Sequence, residues 1–558
     1  MLDVWWYWSH RSGFPLFIDE SGYTTFAIEH THALHHDGWT GLIRSVEEHS
    51  VHGPLVPLVT VPFEVVFGTR VANGFVVIAA FYGFLVVATY LLARRVLDPW
   101  FAALTALVVA TAPEVLTLAR AYYFAVPAAA LFTASAVCFL HSDGLRRFGW
   151  VVAGGAFLGL TVLSRTMMLA LAVGPPLAVL VQGLARGDDV RRRLLALAAG
   201  LGTATAIAAT WYARNIADAL GFLIGTRFRE PSAQHGLQFH LSGTDLREFV
   251  ATLQLPLMLL LVAITLAAAV GAVGRLRRCQ HGESRRQRVR RVLQADIAVL
   301  ALIVTEGVLA FVPTDEPIGE WLPLLPAAIT LAVVALRALP RVSMRRALAT
   351  ITAGFALFNL LMMSDVWPVL GEHRTLEAGP IGSLTVTDGR QFVQRFFGSA
   401  AESGRPGRFP DSWHHLPSLR HELTVWMTSY ATERHQRPVV VTAGDESRDL
   451  NVNDLLLVDR LRNDDEVLIA GRVFVEANTR RHTIQRHLDD PEFGLPNFVV
   501  TYENRRDERK RATDSRPPLA ERVLAEQGFQ MLRTVRLPDG TARIWWRSQA
   551  DVPSSRAA

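Results

Sequence analysis

The chain has 558 residues, of which 50% are hydrophobic and 19% are charged, with a formal net charge of +5 and a mean hydropathy of +0.23. These averages exclude a single globular enzyme, a disordered chain and, with only 2 Cys, a disulfide scaffold. Residues 1–363 hold 29 of the 56 Lys and Arg, 23 of the 51 Asp and Glu, and nearly all of the long apolar runs. The positive excess therefore lies outside the C-terminal part, which argues against nucleic-acid binding.

The chain opens on an aromatic run, WWYW at 5–8, which is typical of the belt at the outer end of a membrane span. The topology derived below places residues 1–70 outside the membrane, yet no apolar segment precedes them. We therefore expect a further apolar helix to be encoded upstream of Met1.

The first external loop contains an adjacent acidic pair, Asp19-Glu20, just after an apolar stretch. A carboxylate at the membrane face can take a proton from an acceptor hydroxyl as a general base, although a solvated loop charge is the alternative. Segments 23–36 and 41–49 have helical character. The run 55–67 is too short and too rich in proline to span, so we predict an interfacial or re-entrant helix there.

Histidines are concentrated in this loop, which contains a third of the chain's 18. Together with nearby glutamates they supply the ligand types of a divalent metal, but no His-Glu-x-x-His or other fixed spacing is present. A metal site, substrate binding and ordinary surface histidines all remain open interpretations. The residues concerned are His30, His32, His35, His36, His49 and His52, with Glu29, Glu47 and Glu48.

Ten apolar runs are candidates to cross about 30 Å of hydrocarbon. The basic residues between them, above all the eight arginines within 275–291, fall in one phase that we assign to the cytoplasm. Residues 1–70, the loop 214–248 and the C-terminal part then lie outside. The runs are 71–93, 100–118, 122–140, 149–164, 166–185, 194–213, 249–274, 296–313, 321–339 and 346–363.

Three further acidic residues fall in or next to the predicted spans. Glu306 lies inside a span, where it either lines an internal groove or pairs with a polar neighbour. Asp315 and Glu316 lie in a short external loop.

From about residue 364 the pattern changes to short β-like runs alternating with helical segments, which predicts a mixed α/β domain. We expect this domain to serve acceptor binding or docking. The predicted organisation is an external first loop (1–70), an α-helical transmembrane domain (71–363) and an extracytoplasmic α/β domain (364–558). The β-like runs are 439–441, 467–469 and 498–500, with a turn at 537–540 before a closing strand, and the helical segments include 452–463 and 518–527.

Several short motifs follow one another along residues 5–363. They are Asp19-Glu20 with Tyr23, His52-Gly53-Pro54-Leu55, Phe67-Gly68 with Arg70, Ala119-Arg120, Leu163-Ser164-Arg165, Trp211-Tyr212-Ala213-Arg214-Asn215 and Trp321-Leu322-Pro323-Leu324-Leu325-Pro326. Their order and topology resemble the GT-C glycosyltransferases that use polyprenyl-phosphate sugars. Among these, the family 39 and RgtA/B/C/D-like group, related to the protein O-mannosyltransferases and lipid A aminoarabinose transferases, is the most similar.

The resemblance implies a polytopic bacterial plasma-membrane enzyme that passes a sugar from a polyprenyl-phosphate donor to an extracytoplasmic glycan, lipid or protein. It implies Asp19 as the base and Glu20 in a supporting role. External arginines suit the phosphate leaving group, although interfacial snorkelling is the alternative for each of them. The implied substrate-binding residues are Tyr23, His52, Arg70, Arg120, Arg165, Arg214 and Asn215.

The sequence departs from this family at one point, because many relatives carry a second Asp shortly after the arginine of the second external loop. Here Arg120 is followed by AYYFAVP, and Glu114 is the nearest acid that can replace it. A transporter or flippase is the alternative function. It is disfavoured because the two halves show no inverted repeat and the acidic pair has no evident transport role.

Overall fold

The computed structural model describes much of the chain, with gaps mainly in the loops and the C-terminal part. The described residues are 5–6, 9, 11, 18–48, 53–187, 189–224, 250, 252–278, 292–311, 319, 321–364, 366, 372–377, 379, 383–389, 415–436, 438–444, 450, 452–462, 496–504, 519–537 and 540–548.

The first 364 residues are helical throughout most of their described length. Three short 3-10 turns interrupt them, at Thr166–Leu169, Leu171–Val173 and Leu322–Leu324. The helices are α1 (Ile18–Glu48), α2 (Leu55–Phe67), α3 (Val71–Arg94), α4 (Pro99–Ala110), α5 (Pro113–Ala119), α6 (Ala125–His141), α7 (Phe148–Ser164), α8 (Gly174–Arg186), α9 (Val190–Ile224), α10 (Leu255–Arg278), α11 (Asp296–Phe311), α12 (Leu325–Arg337) and α13 (Val342–Met363).

Each of the ten predicted apolar runs contains a helix, which makes the chain a polytopic membrane protein. Among the described residues, four stretches are long and apolar enough to cross a membrane, and the pair α4–α5, bent by 63°, is a fifth if it forms one span. Shorter apolar helices, such as α6 and α7, make up the rest of the bundle. The four stretches are Val71–Arg94, Thr166–Arg186, Val190–Gly221 and Val342–Met363.

The helix α1 differs from the prediction, because it begins at Ile18 and is broken only at Gly38, with φ 63° and ψ −151°. Asp19 and Glu20 therefore stand in the first helical turn and not in a loop. Carboxylates are favoured there by the unpaired N–H groups and by the positive end of the helix dipole. The predicted helix at 55–67 is present as α2 with 13 residues.

The end of the bundle remote from α1 is held by polar contacts between the ends of several helices. Arg95 donates to Asp296 over 2.8 Å, and the Gln182 amide donates to the same carboxylate over 2.8 Å. These residues stand at the ends of α3, α8 and α11 that the arginine pattern assigns to the cytoplasm. The arginine-rich stretch 279–291 lies outside the described residues.

The C-terminal part is the predicted α/β domain. Its four-stranded sheet has the order β3-β4-β6-β5, in which β3 and β4 are parallel and the other pairs are antiparallel. The turn at 537–540 joins paired strands, with Leu537 opposite Gly540, whereas the run at 467–469 lies outside the described residues. The elements are β1 (Arg374–Glu377), β2 (Ser383–Thr387), α14 (Leu416–Thr432), β3 (Val440–Gly444), α15 (Val452–Arg462), β4 (Phe498–Asn504), α16 (Leu519–Glu526), β5 (Gln530–Leu537) and β6 (Gly540–Trp546).

The core of this domain combines aliphatic side chains with a group of aromatic rings. The rings of Phe498 and Trp546 lie 4.6 Å apart, and Tyr430 of α14 packs edge-on against Trp546 at 5.2 Å. The helix α14 thereby covers one face of the sheet. The helix α15 contributes to the same core, and α16 covers the opposite face. The helix α15 also packs against α1, which brings the domain to the end of the bundle where the acidic pair lies.

Candidate active site

Asp19 and Tyr23 are four residues apart on α1 and share one face of the helix. The Tyr23 ring packs edge-on against two aromatic rings of the segment between α5 and α6, with centroid distances of 6.2 Å to Tyr123 and 5.6 Å to Phe124. The guanidinium of Arg165, at the end of α7, lies 3.9 Å from the centroid of the Phe124 ring. A carboxylate, a phenol and a guanidinium therefore meet on one aromatic wall.

The electrostatics of Tyr23 reflect both charged neighbours. Burial raises the pKa of the Tyr23 phenol well above its ordinary value, the negative charge of Asp19 raises it further, and the positive charge of Arg165 opposes the shift. The phenol therefore stays protonated near neutral pH and acts as a hydrogen-bond donor. Asp19 and Arg165 themselves are half-buried, so both remain accessible to a ligand.

Glu20, unlike Asp19, is fully buried and enclosed by protein partners. Its two oxygens accept hydrogen bonds from Arg11 over 3.0 and 2.6 Å, and one of them also accepts the backbone N–H of Tyr122 over 2.8 Å. Arg11 is 3% exposed and also donates to the backbone carbonyl of Arg120. Glu20 therefore links the first turn of α1 to the segment between α5 and α6.

Arg120 is buried and makes several protein contacts. Its guanidinium donates to the Met363 carbonyl over 2.6 Å and to the Ser364 hydroxyl over 3.1 Å, and it lies 4.2 Å from the ring centroid of Trp6. These contacts join the segment between α5 and α6 to the end of α13. The predicted contact of Arg120 with a phosphate stays a prediction.

Arg214 and Asn215 fasten α9 to the end of α1. Arg214 is largely exposed and forms an ion pair with Glu47. Asn215 is buried, and its amide, in the orientation that satisfies both ends, accepts from the Trp211 indole over 3.0 Å and donates to the Glu47 carbonyl over 3.3 Å. Arg70 is exposed and directly precedes α3.

The Gly53-Pro54 element packs directly on the Leu163-Ser164 end of α7. A Cβ on Gly53 would overlap the carbonyl group of Leu163, so only glycine permits this approach. Two of the motifs recognised in the sequence are therefore in contact, next to Arg165. His52, like Asp315 and Glu316, lies outside the described residues.

The histidines of α1 have different environments. His30 is buried and its Nδ1 lies 2.8 Å from the Ser45 hydroxyl, whereas His35 and His36 are exposed. Within the described ranges, no group of three His, Cys, Asp or Glu is arranged to hold a metal ion. His49 falls, with His52, in the part of the loop that is not described, so the metal hypothesis is untested.

Two other acidic residues have identifiable neighbours. Glu114 of α5 is buried and accepts the Thr252 hydroxyl and, over 3.1 Å, the backbone N–H of Gly319. It thereby joins the connections that precede α10 and α12. The carboxylate of Glu306 lies against Gly174 at the start of α8, where a Cβ would clash with it.

An apolar cavity of about 520 Å³ lies among α7, the 3-10 turns, α8 and α9. Val162 and Leu169 both line it, and they flank Arg165 in the chain. The cavity is therefore lined by residues that stand three and four positions from Arg165 in the chain. Its other lining residues include Ala172, Leu177, Leu197 and Ala208.

Sequence reasoning missed two residues that organise this site, Arg11 and Asp454. Arg11 stands nine positions before its partner Glu20, and Asp454 lies 433 residues from its partner Ser21. Neither belongs to a motif. Only their burial beside the first turn of α1 distinguishes them from the many other charged residues of the chain.

No protein-family model matches the chain, and no curated protein matches it. Solved structures do match. The archaeal oligosaccharyltransferase AglB from Archaeoglobus fulgidus, in complex with an inhibitory peptide and a dolichol-phosphate, aligns with 98% of this chain and 72% of its own length, at 13% identity and a TM-score of 0.51. ArnT from Cupriavidus metallidurans aligns with 95% of this chain and 94% of its own length, at 14% identity and a TM-score of 0.48.

The chain has the GT-C membrane fold, with a C-terminal α/β domain, as the motif order predicted. At these identities the likeness concerns the fold, and the chemistry has to be argued from the residues themselves.

Proposed function

We propose that this protein is a glycosyltransferase that transfers a sugar from a polyprenyl-phosphate donor to a glycan, lipid or protein outside the bacterial plasma membrane, with Asp19 as general base. The observation that carries the proposal is the meeting of Asp19, Tyr23 and Arg165 on one aromatic wall next to an apolar cavity. In this proposal the first loop and the C-terminal domain lie on the outer side.

The chemistry requires a base and a cation on either side of the anomeric carbon. The acceptor hydroxyl oxygen attacks that carbon while Asp19 takes its proton. The bond between the carbon and the phosphate oxygen breaks, and the electron pair leaves with the phosphate. Arg165 stabilises the negative charge that builds on the phosphate, and the protonated Tyr23 phenol donates a hydrogen bond to the sugar or the phosphate.

The apolar cavity suits the first isoprene units of the carrier. Its volume of about 520 Å³ falls within the usual ~300–1,000 Å³ of ligand sites. Its lining is almost entirely aliphatic and includes Val162 and Leu169, which flank Arg165 in the chain. In this proposal the phosphate binds at Arg165 and the tail enters the cavity. The archaeal oligosaccharyltransferase of the same fold binds a dolichol-phosphate, which is a ligand of this chemistry.

The remaining predicted residues fall into three groups in this proposal. Glu20 is a positioning residue, since its carboxylate is enclosed by Arg11 and Tyr122. Arg120 and the Arg214-Asn215 pair hold the external segments around the site. Arg70 and His52 are proposed donor or acceptor contacts.

The proposal is tested by Asp19→Asn in membrane vesicles supplied with a radiolabelled polyprenyl-phosphate sugar. We expect transfer to fall at least ~100-fold, since general-base catalysis contributes about 10²–10⁴-fold. Asp37→Asn, on the exposed side of the same helix, is the matched control and should retain wild-type transfer. Undiminished transfer by Asp19→Asn refutes the proposed mechanism. Movement of the labelled precursor across the vesicle membrane without transfer favours the transporter alternative.

A further inference from the structure

The first turn of α1 is held from two sides. On one side Glu20 is tied to the segment between α5 and α6, as described above. On the other side the Ser21 hydroxyl donates to Oδ1 of Asp454, which belongs to α15 of the C-terminal domain. Asp19 precedes both anchors, and its position depends on the turn that they hold.

Asp454 is itself held by an ion pair within its own domain. Arg420 of α14 donates to Oδ2 of Asp454 over 2.9 Å, and the two side chains are 5% and 2% exposed. Ser21 is also fully buried. A buried carboxylate with one oxygen on a guanidinium and the other on a hydroxyl has a restricted position, because moving it would leave buried charge without these partners.

The contact between α15 and α1 extends beyond this hydrogen bond. At Gly22 a Cβ would lie 3.3 Å from the Asn453 amide nitrogen, so the two helices approach closely there. Two turns further along, Arg460 pairs with Glu29 over 2.9 Å. The two helices therefore form one continuous interface along the first half of α1.

We infer that Asp454 is a positioning residue for the transfer reaction. It fixes the first turn of α1 and through it the placement of the Asp19 carboxylate relative to Tyr23 and Arg165. The first turn of a helix has no preceding turn to bond to, so it frays unless side chains or neighbouring elements hold it. The C-terminal domain therefore contributes to the geometry of the active site. This inference rests on the proposed function.

The experiment compares Ser21→Ala, Asp454→Ala and the double variant, with Glu422→Gln as the control, since it breaks an exposed ion pair with Arg533 within the C-terminal domain. Ser21→Ala removes only a hydroxyl and keeps the Asp454–Arg420 pair, so it remains informative if Asp454→Ala fails to fold. We expect each single change to lower kcat about 10- to 100-fold with little change in the donor KM, since a misplacement of about 1 Å can cost ~10²-fold. The double variant should be no slower than the slower single one, because both changes remove the same hydrogen bond. Glu422→Gln should stay within about twofold of the wild type.

Several outcomes overturn the inference. Wild-type kcat per folded molecule in Ser21→Ala, with only a lower thermal midpoint, means that the contact is merely structural. Losses in kcat that multiply in the double variant mean that the two residues act separately. Asp19→Asn is measured alongside to separate the two claims. If it abolishes transfer while Ser21→Ala and Asp454→Ala keep wild-type kcat, only the positioning role fails, whereas undiminished transfer by Asp19→Asn removes the proposed function itself.

Discussion

Asp19 and Glu20 are neighbours in the chain but have opposite environments, so replacing each by its amide should have opposite consequences. Glu20→Gln keeps one acceptor oxygen, which can retain the Tyr122 N–H or one of the Arg11 bonds. It removes the negative charge that lies 2.6 Å from the Arg11 guanidinium. Asp19→Asn removes a charge that is only half-buried.

The size of the destabilisation expected for Glu20→Gln follows from the burial of the Arg11–Glu20 ion pair. Removing one partner of a buried ion pair costs about 3–5 kcal/mol, because the remaining charge loses its compensation where water does not reach it. Arg11 and Glu20 are 3% and 0% exposed, so solvent screening gives little relief. Arg11 keeps its hydrogen bond to the Arg120 carbonyl, so we expect the lower end of the range, about 3 kcal/mol. For Asp19→Asn we expect less than about 1 kcal/mol.

The measurement is the thermal unfolding midpoint of the purified protein in detergent, with transfer activity measured on the same samples. The double variant Arg11→Gln with Glu20→Gln removes both charges and should recover part of the loss, as a double-mutant cycle requires for a coupled pair. We thus expect Glu20→Gln to lower the midpoint strongly, and Asp19→Asn to abolish transfer with little change in the midpoint.

Two results would refute this reasoning. If Glu20→Gln loses transfer with an unchanged thermal unfolding midpoint, Glu20 takes part directly in the reaction. A fall in the midpoint of Asp19→Asn as large as that of Glu20→Gln would mean that the two carboxylates share one structural role.

Three further predictions concern the surroundings of this pair. Burial, opposed by one hydroxyl hydrogen bond, raises the pKa of Glu64 on α2 from 4.5 to about 7. Between these two pKa values the folded protein binds more protons than the unfolded chain, so its stability should fall as the pH rises through this window. Glu64→Gln should flatten that part of a plot of the thermal unfolding midpoint against pH. Gly53→Ala should destabilise the protein by about 1–3 kcal/mol in detergent unfolding because its Cβ meets a backbone carbonyl, whereas Gly149→Ala, which has open space, should not; equal midpoints would contradict the close approach. Arg165→Gln should lower kcat about 10²-fold in the transfer assay, as expected for a lost electrostatic contact in the transition state. Arg341→Gln is the control. A wild-type kcat in Arg165→Gln would exclude a contact between Arg165 and the leaving group.

The apolar runs and the α/β domain were predictable because they depend on local properties. The length of an apolar run and the spacing of its apolar residues can be seen directly in the sequence. Each of the ten runs contains a helix in the structure. The breaks within them were not predicted. The run 166–185 begins as two 3-10 turns and becomes helical only at Gly174, where Pro175 and Pro176 occupy the first positions of α8.

The motifs predicted where the site lies, and that position stays a prediction. The chain order of Tyr23, Gly53, Arg120 and Arg165 follows the helix ends that the arginine pattern assigns to the outer side. Two of these motifs are in contact, with Gly53 on the end of α7 beside Arg165. Their individual roles could not be read in this way. Arg120 and Arg165 both directly follow a helix, yet the Arg120 guanidinium donates to the end of α13, whereas the Arg165 guanidinium lies over the Phe124 ring.

Adjacent carboxylates are chemically equivalent in a sequence, and only tertiary packing separates them. Successive side chains of a helix point about 100° apart. One step along α1 therefore turns from the aromatic wall at Asp19 to the buried partners of Glu20, and the next turns to Asp454 of the C-terminal domain at Ser21. These partners come from distant parts of the chain, so composition and spacing determined the membrane fold and the position of the acidic pair. The packing of three separate elements around one helical turn decided which carboxylate is enclosed by protein partners and which remains half-buried.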